Sequence, residues 1–162
     1  MSRLDSFIRR LQAQRAAIDQ AALLLAALPG PVLELGLGNG RTYDHLRERF
    51  AGRDIFVFDR ELAAHPNSRP DAAHFIAGDF RATLPEALLR IGAKAALAHC
   101  DIGSHSPEAS RALAAAIAPL LAPLLAPGAI VLGDQPMPQP GWQALPLPDG
   151  LEPGRYFAYR VG

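Results

Sequence analysis

An acid and three glycines stand close together in Glu34-Leu35-Gly36-Leu37-Gly38-Asn39-Gly40, after a short apolar run and before a helical pattern. Glycines placed there let the backbone turn tightly and present its N–H groups to a ligand at a helix N-terminus. The spacing is G-x-G-x-G. A dinucleotide fingerprint would want its third glycine at position 41, which is Arg41. Asp59 ends the next apolar run, where a carboxylate accepts both hydroxyls of a ribose. It fits a nicotinamide cofactor as well as other nucleosides and does not choose between them. Two later runs end in His99-Cys100-Asp101-Ile102-Gly103-Ser104-His105 and in Gly133-Asp134-Gln135-Pro136. Asp101 and Asp134 are the candidate catalytic carboxylates there. His105, with a free pKa near neutrality, reads either as a general base or as an exposed loop histidine. His99 shares a strand face with Asp101 and reads as a core hydrogen-bonding group, whereas Cys100 points the other way and packs.

These residues need a scaffold that brings strand ends together. Residues 4–28 read as a helix, with Leu4, Ile8, Leu11, Ile18, Ala22 and Leu25 at steps of four and three and Pro29-Gly30-Pro31 as the stop. Arg15 interrupts that apolar stripe. It either reaches solvent past the alanines or pairs with an anionic substrate or an active-site carboxylate. Beyond residue 31, short apolar runs (32–35, 54–59, 74–79, 95–99 and 129–132) alternate with helical segments, which indicates βαβ units and a parallel sheet covered on both faces. Thr83-Leu84-Pro85-Glu86 has the form of a capping box opening a helix towards Arg90. Ser106-Pro107-Glu108 starts an alanine- and leucine-rich helix that Pro119 is expected to break or kink. The last thirty residues read as an antiparallel hairpin of residues 142–147 and 155–160, its prolines fitting an edge strand.

The glycine motif with its preceding acid resembles the first motif of class I S-adenosylmethionine (SAM)-dependent methyltransferases. Asp59, Asp79 in Gly78-Asp79-Phe80, the turn Leu125-Ala126-Pro127-Gly128-Ala129 and the closing hairpin fall in the order that family requires. The resemblance covers residues 32–161. It implies SAM as cofactor, on Gly36, Leu37, Gly38, Asn39 and Gly40, with Thr42 in the following helix. It puts Glu34 near the amino-acid end of SAM unless it merely caps the loop, Asp59 with Arg60 at the ribose, and Asp79 with Phe80 at the adenine. Asp101 would lie near the methionyl amino group or the acceptor. Asp101 with Asp134-Gln135 also resembles the Asp…Asp-Asn set that holds magnesium in catechol-type O-methyltransferases; Gln135 departs from it, and we assign no metal. Gln135 and Arg15 are the candidate acceptor-binding residues. The fold expected is Rossmann-like α/β: a seven-stranded, mostly parallel sheet with a C-terminal antiparallel hairpin and an N-terminal helix. The helix that normally separates strands five and six is reduced to a proline-rich loop.

With 162 residues, 49% hydrophobic and 20% charged, the chain is read as one domain, an N-terminal helix (1–30) on a core (31–162). No second domain is left to hold a large substrate, so a small-molecule acceptor is expected. Sixteen basic residues balance sixteen acidic ones, without the basic excess that a nucleic-acid-binding protein usually carries; the local cluster of Arg3, Arg9, Arg10 and Arg15 weakens that exclusion without overturning it. One cysteine excludes a disulfide framework. The charged N-terminal segment and the prolines within 112–130 read as neither signal peptide nor membrane span, which makes a cytoplasmic protein the expectation. Apolar surface on the N-terminal helix suits a homo-oligomer. A non-catalytic SAM-binding sensor is the alternative, with the glycine loop but no acceptor pocket. A short-chain NAD enzyme is disfavoured, because Tyr43 and Tyr156 lack a lysine four residues on.

Overall fold

A computed structural model describes residues 2–162. The strands are β1 (Val32–Leu35), β2 (Ile55–Asp59), β3 (Phe75–Ala77), β4 (Ala95–Cys100), β5 (Leu125–Gly133), β6 (Trp142–Ala144) and β7 (Phe157–Val161). They form one seven-stranded sheet in the order β3-β2-β1-β4-β5-β7-β6. The first five are parallel, and β7 runs antiparallel to both β5 and β6. This is the Rossmann-like sheet with a C-terminal antiparallel hairpin that the sequence predicts.

The central strands are buried on both faces, so their runs are apolar without a break. Alternation sends Leu33, Leu35, Phe56, Phe58, Ala98 and Cys100 to one side, beneath α3 (Phe80–Thr83), α4 (Ala87–Ile91) and α5 (Pro107–Leu121). Val32, Val57, Leu97 and Ile130 go to the other side, beneath α1 (Arg3–Leu24) and α2 (Arg41–Arg49). Glu34 and His99 fall on that second face and are cross-strand partners in the β1–β4 register.

Helix ends follow local chemistry. A Ser2–Asp5 capping box starts α1, and Ser106 caps α5 with Pro107 in its first turn. Three readings are corrected. The third helix begins at Phe80, not at the Thr83 box: Asp79 accepts the Arg81 amide as N-cap, and the Thr83 hydroxyl is spent on the Asp79 carbonyl. Helix α5 continues through Pro119 to Leu121: the proline gives up its own N–H bond, but it falls in the last turn, so only two helical residues follow it. Pro146 and Pro148 lie outside the hairpin, whose β6 stops at Ala144. The loop between β5 and β6 is the predicted helix-free connection.

Candidate active site

The parallel strands end along one edge, where the sheet order reverses between β1 and β4; in open α/β sheets ligands bind at such a switch point. The glycine loop turns there. Gly36 has φ +90°, and a Cβ on it would lie 2.2 Å from the Asp101 carbonyl oxygen, so the end of β4 leaves room for glycine alone. Gly38, at φ +50°, would meet nothing within 4 Å and leaves its backbone open to the cleft. The Asp59 carboxylate at the end of β2 accepts the Leu37 amide at 2.8 Å, the Gly38 amide at 3.2 Å and the Arg60 amide at 2.7 Å. An acid and a turn far apart in sequence are thereby locked together.

Next to Asp59, Asp79 caps α3 through the Arg81 amide (2.9 Å) and takes Arg60 Nη2 at 2.9 Å. The Arg81 amide bond and then Arg60 hold its pKa below the ordinary carboxylate value. Gly36, Asp59, Asp79, Phe80, Asp101 and Leu113 help to wall a cavity of about 540 Å³, within the range of small-ligand pockets.

Glu34 has no exposed surface. One carboxylate oxygen takes the Thr42 hydroxyl at 2.5 Å and the other His99 Nδ1 at 2.7 Å, while His99 Nε2 meets the Tyr156 hydroxyl. Burial lowers the His99 pKa, but the Glu34 charge and hydrogen bond outweigh it and the net shift is upward. Burial, with Asp101 and Glu34 adding to it, pushes the Tyr156 phenol well above its ordinary value. Glu34 thus supports the loop from below, tying β1 to the first turn of α2 and to β4. His99 is the core hydrogen-bonding group expected, and Cys100 packs in the core.

Helix α1 crosses the cleft. Arg10 Nη2 lies 2.5 Å from one Asp101 oxygen and Gln14 Nε2 lies 3.0 Å from the other. Between the helix and the glycine loop is a smaller cavity of about 190 Å³, lined in part by Arg10, Gln14, Asn39, Thr42 and Asp101. It shares Gly38 and Asp101 with the larger one. The role expected of Arg15 is corrected: Arg15 is exposed, turned about 100° from Gln14, and Arg10 makes the contact with the carboxylate. The helix buries Ala13, Gln14, Ala17, Ile18 and Ala21, and leaves Leu4 and Ile8 outside. Gln14, polar among small residues, was the sequence sign of this face.

Asp134 and Gln135 lie beside Asp101's loop. Asp134 accepts the Ile102 amide at 3.1 Å and the Gly103 amide at 2.9 Å, and Gln135 Nε2 reaches it at 3.4 Å. Burial first and Asp101 second raise its pKa above the ordinary carboxylate value. His105 is exposed on the same loop and lines none of the three cavities at this edge. The third cavity, about 450 Å³, is bounded by α1, by Gly103, Ser104, Asp134 and Gln135, and by the segment before β7.

A family model described as S-adenosyl-L-methionine methyltransferase matches residues 1–161. The chain belongs to that family. The crystal structure of an S-adenosyl-L-methionine methyl transferase from Silicibacter pomeroyi DSS-3 is 49% identical, with TM-score 0.94 over 100% of this chain and 99% of that one. TrmN from Thermus thermophilus is 20% identical (TM-score 0.61; 89% of this chain, 48% of that one). The plantazolicin methyltransferase BpumL, in complex with SAH, is 18% identical (TM-score 0.55; 80% and 48%). These last two share the fold, and this chain spans about half their length. No curated protein matches. SAM is therefore the cofactor of this methyltransferase, and the cleft fits it: Gly38 leaves backbone open to the cleft, with carboxylates of Asp59, Asp79 and Asp101 around it.

Proposed function

We propose that the methyltransferase transfers the methyl group of SAM to a small molecule bound beneath the N-terminal half of α1. The carrying observation is a run of three neighbouring cavities that share wall residues, two of them meeting at Asp101. The largest and the smallest meet at Gly38 and Asp101, and the third joins them through Arg10, Gly103 and Ser104. SAM supplies an electrophilic methyl group on a sulfonium. The protein's part is to hold two partners in line and to take up a proton where the acceptor carries one.

In this reading the loop 36–40 and Asp59 hold the nucleoside, with Asp59 turned to the ribose and Asp79 and Phe80 at the base. Asp101, fixed by Arg10 and Gln14, stands at the junction of cofactor and acceptor. Asp134 is the proton acceptor, since its raised pKa brings it closer to working pH and the Ile102 and Gly103 amides fix its direction. Gln135 lines the acceptor side. A balanced charge and one compact cleft favour a small acceptor over a nucleic acid. The whole chain acts as one domain. A free, buried Cys100 suits the cytoplasm, and Leu4, Ile8, Leu23 and Leu24, exposed on α1, suit a homo-oligomer.

Calorimetric titration with SAM, SAH and NAD, beside an Asp59→Ala variant, tests the cofactor site. The expected result is binding of the two sulfur nucleosides alone, weakened at least about tenfold in the variant. Incubation with SAM and pools of small metabolites, read by mass spectrometry, should then yield SAH and a product heavier by one methylene. Equal binding in the variant would refute the placement of the cofactor, and transfer only to a macromolecule would refute the acceptor class.

A further inference from the structure

The third cavity at the sheet edge has an unusual wall. Arg3 and Arg10, on one face of α1 at helical spacing, and Arg155, from the segment before β7, all line it. Their donors outnumber the acceptors that the protein supplies. Arg3 has no hydrogen-bond or ion-pair partner among the described residues. Arg10 is already engaged, one amino nitrogen held by Asp101, and its partnerless Nε is buried and offers the cavity nothing, which leaves Arg3 and Arg155 as the donors. Arg155 gives Nε to Glu152 and Nη1 to Ser6, and no described residue takes its Nη2. The carboxylate that lines this cavity, Asp134, is turned to the Ile102 and Gly103 amides. Arg3 and Arg155 line a cavity with N–H donors that no described residue takes, which suits a ligand that accepts and does not donate. Carboxylates and phosphates have that character.

Building on the methyl-transfer reading above, we infer that the acceptor carries an oxyanion, a carboxylate or a phosphate, which docks on Arg3 and Arg155 at the outer end of this cavity. Its nucleophilic atom then points inward to Asp134 and Asp101. The arrangement gives each part of the cleft one task. Cations at the outer end fix the charged tail, and the inner carboxylate is kept for the proton. On transfer, a lone pair of the acceptor forms the new bond to the methyl carbon and the carbon–sulfur bond breaks, leaving its electron pair on sulfur. The acceptor's proton passes to Asp134 and on to water. Phe7, in the same wall with Arg41 stacked 5.7 Å from its ring centre, offers an apolar face to the body of the molecule.

The test uses the full chain saturated with SAH, titrated calorimetrically at low ionic strength with three probes: 4-hydroxybenzoate, 4-hydroxyphenyl phosphate and the uncharged 4-hydroxybenzamide. One or both charged probes are expected to bind, the amide is not, and added salt is expected to weaken the binding. Whether the benzoate or the phosphate binds more tightly names the oxyanion. An Arg3→Gln, Arg155→Gln double variant should weaken the charged probe about tenfold or more while keeping its SAH affinity, which also reports that it is folded. Binding of the amide as tight as that of the acids would overturn the inference. So would probe binding unchanged in the variant, or no binding of any probe. Failure of the wild-type protein to bind SAH at all would instead strike the methyl-transfer reading itself, and the acceptor assignment with it.

Discussion

Replacing His99 with leucine removes the middle member of a buried chain that runs from Thr42 through Glu34 and His99 to Tyr156. Glu34 and His99 are both 0% exposed, and their hydrogen bond is 2.7 Å long. The variant leaves the Glu34 carboxylate with Thr42 alone, in a site that water does not reach. Breaking a buried pair by deleting one partner costs about 3–5 kcal/mol. In a chain of this size each kcal/mol moves Tm by about 2–4 °C, so a fall of about 6–20 °C is expected. The Glu34→Leu, His99→Leu double variant should recover much of that loss, because no charge is left stranded. Thermal unfolding followed by circular dichroism, run as a double-mutant cycle, measures it. The pH dependence carries a sign. The folded-state pKa of His99 is raised, so the stability from its pairing is complete below the ordinary histidine value of 6.5 and is lost as pH rises through the folded value. The gap between wild type and His99→Leu should therefore narrow towards alkaline pH. Because Glu34 also holds the first turn of α2, SAH affinity should fall together with Tm. A loss below about 1 kcal/mol, the size of one ordinary hydrogen bond, or strict additivity in the cycle, would refute the idea that this chain of groups carries the β1–β4 junction.

Gly36→Ala places a methyl group 2.2 Å from the Asp101 carbonyl at φ +90°; a stability loss of about 1–3 kcal/mol is expected, with SAH binding lost in calorimetry. Arg10→Ala removes a partly buried ion pair while Gln14 still holds Asp101, and should shift stability by about 1 kcal/mol, yet weaken SAH binding at least about tenfold as Asp101 loses its orientation. Asp134→Asn should lower kcat about 10²–10⁴-fold with an acceptor that must lose a proton. In the wild type, the rate should fall as pH drops through the Asp134 pKa, which lies above the ordinary 3.8 because of burial and then Asp101, and this acid limb should vanish in the variant.

The parts of the site legible in the sequence are those where backbone geometry dictates residue type. The glycine loop is one, since a side chain at Gly36 collides with β4; the acids at the ends of β2, β4 and β5 are others, since strand ends are marked by the end of apolar runs. The phase of α1 was legible only in its C-terminal half. Ile18 and Leu25 of the stripe are buried as read, but Leu4 and Ile8 stay exposed while Ala13, Gln14, Ala17 and Ala21, which a count of large residues passes over, pack against the sheet. A stripe drawn through the large residues therefore pointed to Arg15 and passed over Arg10 and Gln14. The Glu34–His99–Tyr156 chain was hidden for a different reason. Its members are 65 and 57 residues apart, and only strand register makes them neighbours.

The two halves of the cleft differ in how firmly they are built. The cofactor side rests on backbone turns, strand ends and the buried carboxylate of Glu34, none of which moves without disturbing the sheet. The proposed acceptor side is closed by Arg9–Glu152 at 3.7 Å and Arg155–Ser6 at 3.1 Å, with Arg9 and Glu152 about half exposed. Exposed pairs of that kind contribute about 0–1 kcal/mol each. The C-terminal half of α1, by contrast, is anchored by Ala17, Ile18, Ala21 and Leu25 in the core. Lifting the first two turns of α1 is therefore expected to break weak polar contacts and little apolar packing, which would admit a ligand beneath the helix while the nucleoside site keeps its shape. On the proposed reading, the same asymmetry makes Arg3 and Arg155 the positions where substitution should change the choice of acceptor at least cost to the fold.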